Sequence, residues 1–299
     1  DTTNGSIYTH DVSGTDDTAQ NNTAFGLNAG DAVTTADSIT LVGKNAGSAI
    51  TSGASSTFIG KGAGAANTTA TQNIFMGVNA GLSITTGGSN IAIGHEAYDG
   101  CDAETNNLAI GRAALGGAVA GGEYNVAIGN FSLDALTTAD HNVAVGYEAG
   151  SDLTTGGSGN GRNVFMGYQA GKAVTTGFDQ VLIGEGAGSV NGVGTSRGLI
   201  AVGRSAGNRK TSGDQCVLIG TDAGAYLTTA ADSIFIGGFA GDGHDTEGNN
   251  LGIGTAALGG SVAGGEYNVA VGNYTLDALT SADFVTAVGY QAGSAVTTG

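Results

Sequence analysis

Apolar residues along the chain come in triplets closed by a glycine, as in TLVG at 40–43, TFIG at 57–60, IFMG at 74–77 and IAIG at 91–94. Sixteen such glycines occur, at Gly26, Gly43, Gly60, Gly77, Gly94, Gly111, Gly129, Gly146, Gly167, Gly184, Gly203, Gly220, Gly237, Gly254, Gly272 and Gly289. Eleven of the fifteen intervals are 17 residues, two are 18, one is 19 and one is 21, so nearly the whole chain is one small unit repeated. A repeat of this length predicts stacked coils, each burying its apolar side against the next. The residue before each glycine is apolar throughout, and the residue three before it is Val, Ile, Leu or Thr. That alternation predicts a short β-strand with these two positions on its core face. The middle residue, on the opposite face, is never polar either, running from Ala24 through Leu41, Phe58 and Phe75 to Ala287. A strand apolar on both sides is expected to meet a second sheet or a second chain outside the coil.

A longer period lies over the first. LAIGRAALGGAVAGGEYNVAIGNFSLDALTTAD from Leu108 returns, with substitutions, from Leu251, an offset of 143 residues, so eight coils form a cassette that is present twice. The predicted organisation is a lead-in segment over 1–20 and an all-β parallel solenoid, a β-roll of about sixteen 17-residue coils, over 21–299. Its cassettes occupy about 21–162 and 163–299. At a strand spacing of about 4.8 Å, sixteen coils predict a rod of roughly 75 Å. Nothing near Gly299 has the look of a cap, and the solenoid is expected to continue past it.

Other positions recur with the glycine. Three residues after it stands Ala in fourteen coils, with Ser132 and Thr275 the exceptions, and a second Gly commonly follows, which predicts a tight corner with positive φ. Leu115, Leu133, Leu258 and Leu276 replace that second Gly in the same two coils of each cassette, a sign of altered packing there. Asn22, Asn73, Asn90, Asn107, Asn125, Asn142, Asn163, Asn250 and Asn268 stand four residues before the glycine, and stacking would align them as a ladder serving turn backbone groups. Thr pairs such as Thr34-Thr35, Thr85-Thr86 and Thr228-Thr229 are expected to end a second short strand. The additions in longer coils, at 156–163 and 192–198, read as surface loops.

Composition agrees with a stack of strands: 57 glycines and no proline, which would remove a ladder hydrogen bond. The net charge is −17 and no Lys or Arg follows Lys210. Such a surface repels nucleic acid and anionic lipid and favours cations. No segment is long and apolar enough to insert in a membrane. Cys101 and Cys216 are expected to be small apolar fillers, too far apart to bridge.

Chemistry is sparse. His10, His95, His141 and His244 lie in different coils, unpaired with any recurring Ser or Cys, and Phe284 replaces His141 at the cassette counterpart. No triad can be assembled, and the glycine strings carry no Walker lysine, so the chain is not expected to be an enzyme. Asp99, Asp102 and Glu104 recur as Asp242, Asp245 and Glu247, oxygen ligands at a spacing that could hold calcium; no other cofactor is expected. Tyr147, Tyr168 and Tyr290 fall just after a closing glycine, where each is expected to stack on the neighbouring coil.

The strings NVAVGYEAG at 142–150 and NIAIGHEA at 90–97 resemble the head repeats of trimeric autotransporter adhesins. NTAFGLNAG at 22–30 and the recurring TTG are similar to the repeats of bacteriophage tail fibres. The resemblance covers 21–299. It implies a homotrimer of parallel β-rolls in an extended surface fibre, on a virion tail or a cell surface, that attaches to a host glycan or protein receptor. The adhesin repeat is commonly shorter than 17 residues, and the Thr-Thr-Gly turns suit the phage version better. The Thr pairs also raise an ice-binding solenoid as an alternative, against which stands the opposite facing of adjacent strand residues.

Overall fold

The computed structural model describes residues 7–8, 18–117, 121–155, 161–189, 196–260 and 265–298. Its regular structure is a parallel β-solenoid built from seventeen short strands at the repeat spacing, with no helix among the described residues. The chain divides into two compact units, 1–142 and 143–299. The first carries β1 (Ile7–Tyr8), β2 (Thr23–Phe25), β3 (Thr40–Val42), β4 (Thr57–Ile59), β5 (Ile74–Met76), β6 (Ile91–Ile93), β7 (Leu108–Ile110) and β8 (Val126–Ile128). The second carries β9 (Val143–Val145), β10 (Val164–Met166), β11 (Val181–Ile183), β12 (Ile200–Val202), β13 (Val217–Ile219), β14 (Ile234–Ile236), β15 (Leu251–Ile253), β16 (Val269–Val271) and β17 (Thr286–Val288). It therefore opens on the strand of the eighth coil, one coil ahead of the cassette change near 162. His10 and most of the 1–20 and 156–163 segments lie outside the described residues, as do 192–195.

Within each unit the strands stack in register. Phe25 stands opposite Val42, Val42 opposite Ile59 and Ile59 opposite Met76; in the second unit Val145, Met166, Ile183 and Val202 form the same column. The strand faces are the reverse of the expectation. The middle residue is the buried one, with Leu41, Phe58, Phe75, Ala92, Phe165, Leu182 and Phe235 fully enclosed. The flanking residues point outward, Ile59 at 37%, Met76 at 38% and Met166 at 42% exposure. The physical reason is the narrowness of the interior. A three-residue strand presents one side chain to the inside, and there it meets the Ala three residues beyond the glycine and the apolar residue seven beyond it, such as Ile50, Ile84 or Leu153.

Uniformity misleads here because the uniform face is the outer one. Inside, residues vary by exchanging volume. Where the middle strand residue is Phe, the fourth residue past the glycine is Gly, and a Cβ there would lie 2.6 Å from the Phe75 ring at Gly81 and 2.4 Å from the Phe235 ring at Gly241. Where that fourth residue is Leu115, Leu133, Leu258, Leu276 or Tyr98, the middle residue is Ala109, Ala127, Gly252, Ala270 or Ala92. The Leu replacements are thus one half of a complementary pair that keeps the cross-section filled.

The expected second strand is absent among the described residues. The Thr segment makes coil-to-coil bonds without strand geometry: Thr34 and Thr35 amides both donate to Thr51 O at 3.0 Å. The first threonine also donates its hydroxyl to the carbonyl one coil on, as Thr34 to Thr51 (3.0 Å), Thr51 to Thr68 (3.1 Å) and Thr68 to Thr85 (3.1 Å). The asparagine ladder is present and buried. Asn90 Oδ1 accepts the Asn107 amide at 2.9 Å, Asn107 Oδ1 the Asn125 amide at 2.9 Å, while Asn125 Nδ2 donates to Ala139 O at 3.0 Å. Each side chain thereby closes a turn in its neighbouring coil, satisfying groups that would otherwise be buried unpaired.

The closing glycines stack on one another. A Cβ on Gly60 would lie 2.1 Å from Gly77 O, on Gly77 2.2 Å from Gly94 O, and on Gly203 2.4 Å from Gly220 O. Their φ angles, 142°, 143° and 136°, also suit glycine alone. Other corners take left-handed geometry without glycine, as at Asn45 (φ 59°) and Ser55 (φ 56°), each costing about 1 kcal/mol or more. The amides so aimed donate to the preceding coil, Asn45 to Leu27 O at 2.8 Å and Ser55 to Asp37 O at 2.9 Å, which offsets that cost.

Two outcomes follow. Gly60→Ala is expected to destabilise the first unit by more than about 3 kcal/mol, whereas Gly289→Ala, whose nearest contact is Ala292 Cβ at 3.8 Å, should cost only its backbone strain, about 1 kcal/mol; denaturant melts of both variants check this. Phe75→Ala and Gly81→Leu should each destabilise strongly alone, and together recover at least about 2 kcal/mol of the summed loss by recreating the Ala109–Leu115 arrangement, as read from a double-mutant cycle.

Candidate functional site

The acidic candidates are turn elements. Glu104 Oε2 accepts the amides of Asp102 (2.9 Å) and Ala103 (3.1 Å), and Oε1 that of Gly121 (2.9 Å). Glu247 Oε2 repeats this with Asp245 (3.0 Å) and Thr246 (3.1 Å). Asp102 and Asp245 accept the hydroxyls of Thr85 and Thr228 one coil earlier. Asp99 and Asp242 are half-buried, and burial pushes both carboxyls above the usual range. Among the described residues no three His, Cys, Asp or Glu side chains gather into a set able to hold a metal ion. The glutamates spend their oxygens on backbone amides rather than turning them towards the aspartates.

The histidines have separate surroundings. His95 lies on the surface with Nδ1 3.3 Å from Glu96. His141 stacks on Tyr124, ring centroids 5.2 Å apart. His244 is fully buried against Phe235, with neither ring nitrogen hydrogen-bonded, and burial pushes its pKa down to about 4. Its cassette counterpart is Cys101, while Tyr98, whose hydroxyl accepts Asn107 Nδ2 at 2.7 Å, stands where the second cassette has Gly241. The trio Ala92, Tyr98, Cys101 has become Phe235, Gly241, His244, so His244 is a volume filler. Lys210 occupies the same interior position as His244, its ammonium donating to the Ser212 and Ala230 carbonyls. Both cysteines are buried and unbridged.

The surface is where chemistry remains. Tyr147 and Tyr168 stack with centroids 5.5 Å apart, as expected of neighbours in successive coils, and Tyr290 meets Tyr274 edge-on at 6.2 Å. The outward strand residues make a continuous apolar column up each unit. In the second unit two adjoining cavities of about 330 and 320 Å³ share Arg209, Tyr226 and Asp242. Arg209 lies 4.4 Å over the Tyr226 ring, and Arg204 pairs with Asp222 at 3.0 Å. The recurring pattern of the sequence does not mark this groove. Its signal is a position, six residues past the closing glycine, that is small almost everywhere else.

The architecture defines a class, the parallel β-solenoid repeat protein. Comparison with protein-family models, with characterised proteins and with solved structures finds no match to the chain.

The His244 environment sets a pH dependence. A base whose folded pKa lies below its ordinary 6.5 contributes stability that is complete above about pH 6.5 and is lost as pH falls towards 4. The second unit should lose on the order of 3 kcal/mol across that window. His244→Leu should flatten that part of the stability profile, measured by thermal melts at stepped pH.

Proposed function

We propose that this chain is a non-enzymatic structural and adhesive segment of a trimeric surface fibre, a phage tail fibre that serves host attachment. One observation carries the reading: the outward face of every strand. Val, Ile, Leu, Met and Thr stand there coil after coil, in register, and stay about two-fifths exposed at Ile59, Met76, Ile91's neighbour Ile74 (39%) and Met166. A column of this kind, continuous from coil to coil, is the contiguous apolar surface that soluble monomers rarely leave in water. Burying it against the same column of two further copies removes it from water without any new sequence device. The buried middle residues make the argument stronger, because the coil needs nothing from the outer pair to close its own core.

The head of a bacterial trimeric adhesin would use the same face. Ice binding draws less support, since the first threonine of the pair directs its hydroxyl to a carbonyl of the next coil rather than to water. In the fibre reading the coils hold a receptor-binding tip at a distance and present three copies, so that weak contacts combine by multivalency.

Light scattering on the chromatographed protein tests this. A mass three times that of the 28.9 kDa chain is expected, and a monomer at micromolar concentration overturns the reading. Met76→Lys combined with Ile93→Lys places charge on the outer face only, and is expected to yield folded monomers, with circular dichroism unchanged.

A further inference from the structure

The geometry points to a binding site in the second unit for an organic cation, specifically a guanidinium group such as an arginine side chain of a basic partner presents. Four consecutive coils place Arg209, Tyr226, Gly243 and Gly260 at one position, six residues past the closing glycine. Elsewhere among the described residues that position is Ala, Ser or Gly, apart from Asp152. The Arg209 guanidinium carbon lies 4.4 Å from the Tyr226 ring centroid, close to the rise of about 4.8 Å between coils. Arg209 therefore covers the ring face towards the coil before. Beside Gly243, where there is no side chain, lies a cavity of about 330 Å³ lined by Arg209, Tyr226, Thr228, Asp242 and Asp245. The column of flat groups has a vacant step one coil beyond Tyr226.

The charge around that step is unbalanced. Asp242 is half-buried and its carboxyl is destabilised by burial. Two carboxylates face one basic group there: Arg204 pairs with Asp222, Arg209 lines the cavity while stacking on Tyr226, and no Lys or Arg follows Lys210. Two carboxylates and an aromatic face are the surroundings in which a guanidinium both stacks and forms charge-assisted hydrogen bonds. A neutral sugar ring could stack on Tyr226 but would leave the two carboxylates with Arg209 alone as counter-charge. The first cassette supplies an internal contrast. Asp99, Gly100 and Asp102 recur there, but Ala66 and Ser83 stand in place of Arg209 and Tyr226, so that cassette has the acids without the platform. The site stands apart from the fibre reading and holds for a monomer as well as a trimer.

Saturation-transfer NMR on the full chain tests it with three probes: N-acetylarginine methylamide, its uncharged isostere N-acetylcitrulline methylamide, and a methyl glucoside. The arginine derivative is expected to bind with Kd on the order of 1 mM, and the citrulline compound at least about tenfold more weakly. Tyr226 is 50% exposed, so Tyr226→Ala keeps the fold. That variant and Asp242→Asn should each weaken arginine binding by about fivefold or more. Equal binding of the two isosteres, arginine binding that survives both substitutions, no binding of the arginine derivative, or preference for the glucoside would each overturn the proposal.

Discussion

The close stacking of glycine on glycine is the constraint from which the rest of the coil follows. From Gly26 to Gly111 in the first unit and from Gly146 to Gly272 in the second, a Cβ at the closing position would fall within 2.1–2.7 Å of backbone atoms of the next closing glycine. Such contact leaves no room for a side chain, and it forces successive coils to align at this point. Alignment here places every other position in a column as well. Asparagine meets asparagine, threonine meets threonine, and strand residues pair without slippage, although the chain pays for several left-handed corners in each turn. Register in a three-residue strand would otherwise be weakly specified, because so short a pairing holds few bonds.

Columns turn a chain of small coils into a set of ladders, each with its own chemistry. Interior ladders tolerate large changes because volume is conserved within a coil rather than at a position. Phe75 over Gly81 and Ala109 with Leu115 are two solutions to one cross-section, and Phe235 with His244 is a third that admits a polar ring. The last carries a penalty. A buried imidazole without a hydrogen-bond partner keeps its place only while neutral, so acid weakens that coil first.

The repeat length, the parallel stack and the asparagine ladder were legible in the sequence because each rests on one residue type recurring at one spacing. The orientation of the strand was not. Val42, Ile59 and Ile93 are more uniform than Leu41, Phe58 and Ala92, and uniformity suggested a core; yet β-branched residues also suit an outward strand surface, while a compensated interior shows variety. Threonine pairs at one fixed place in the coil suggest the end of a second strand; the column exists, but its hydrogen bonds run through turn geometry and threonine hydroxyls. The calcium spacing at Asp99, Asp102 and Glu104 was a property of sequence alone; in space Glu104 folds back on its own turn.

The groove at Tyr226 was illegible for a different reason. It depends on departures from the repeat, and a reading tuned to recurrence treats departures as noise. In a stack this regular the opposite weighting is physically justified. A column position that stays small in nearly every coil has no structural need of Arg209 or Tyr226, and both project outward, Tyr226 half exposed. Residues that the coil does not require, placed where solvent can reach them and bordered by carboxylates, are where a repeat scaffold acquires something other than its own assembly.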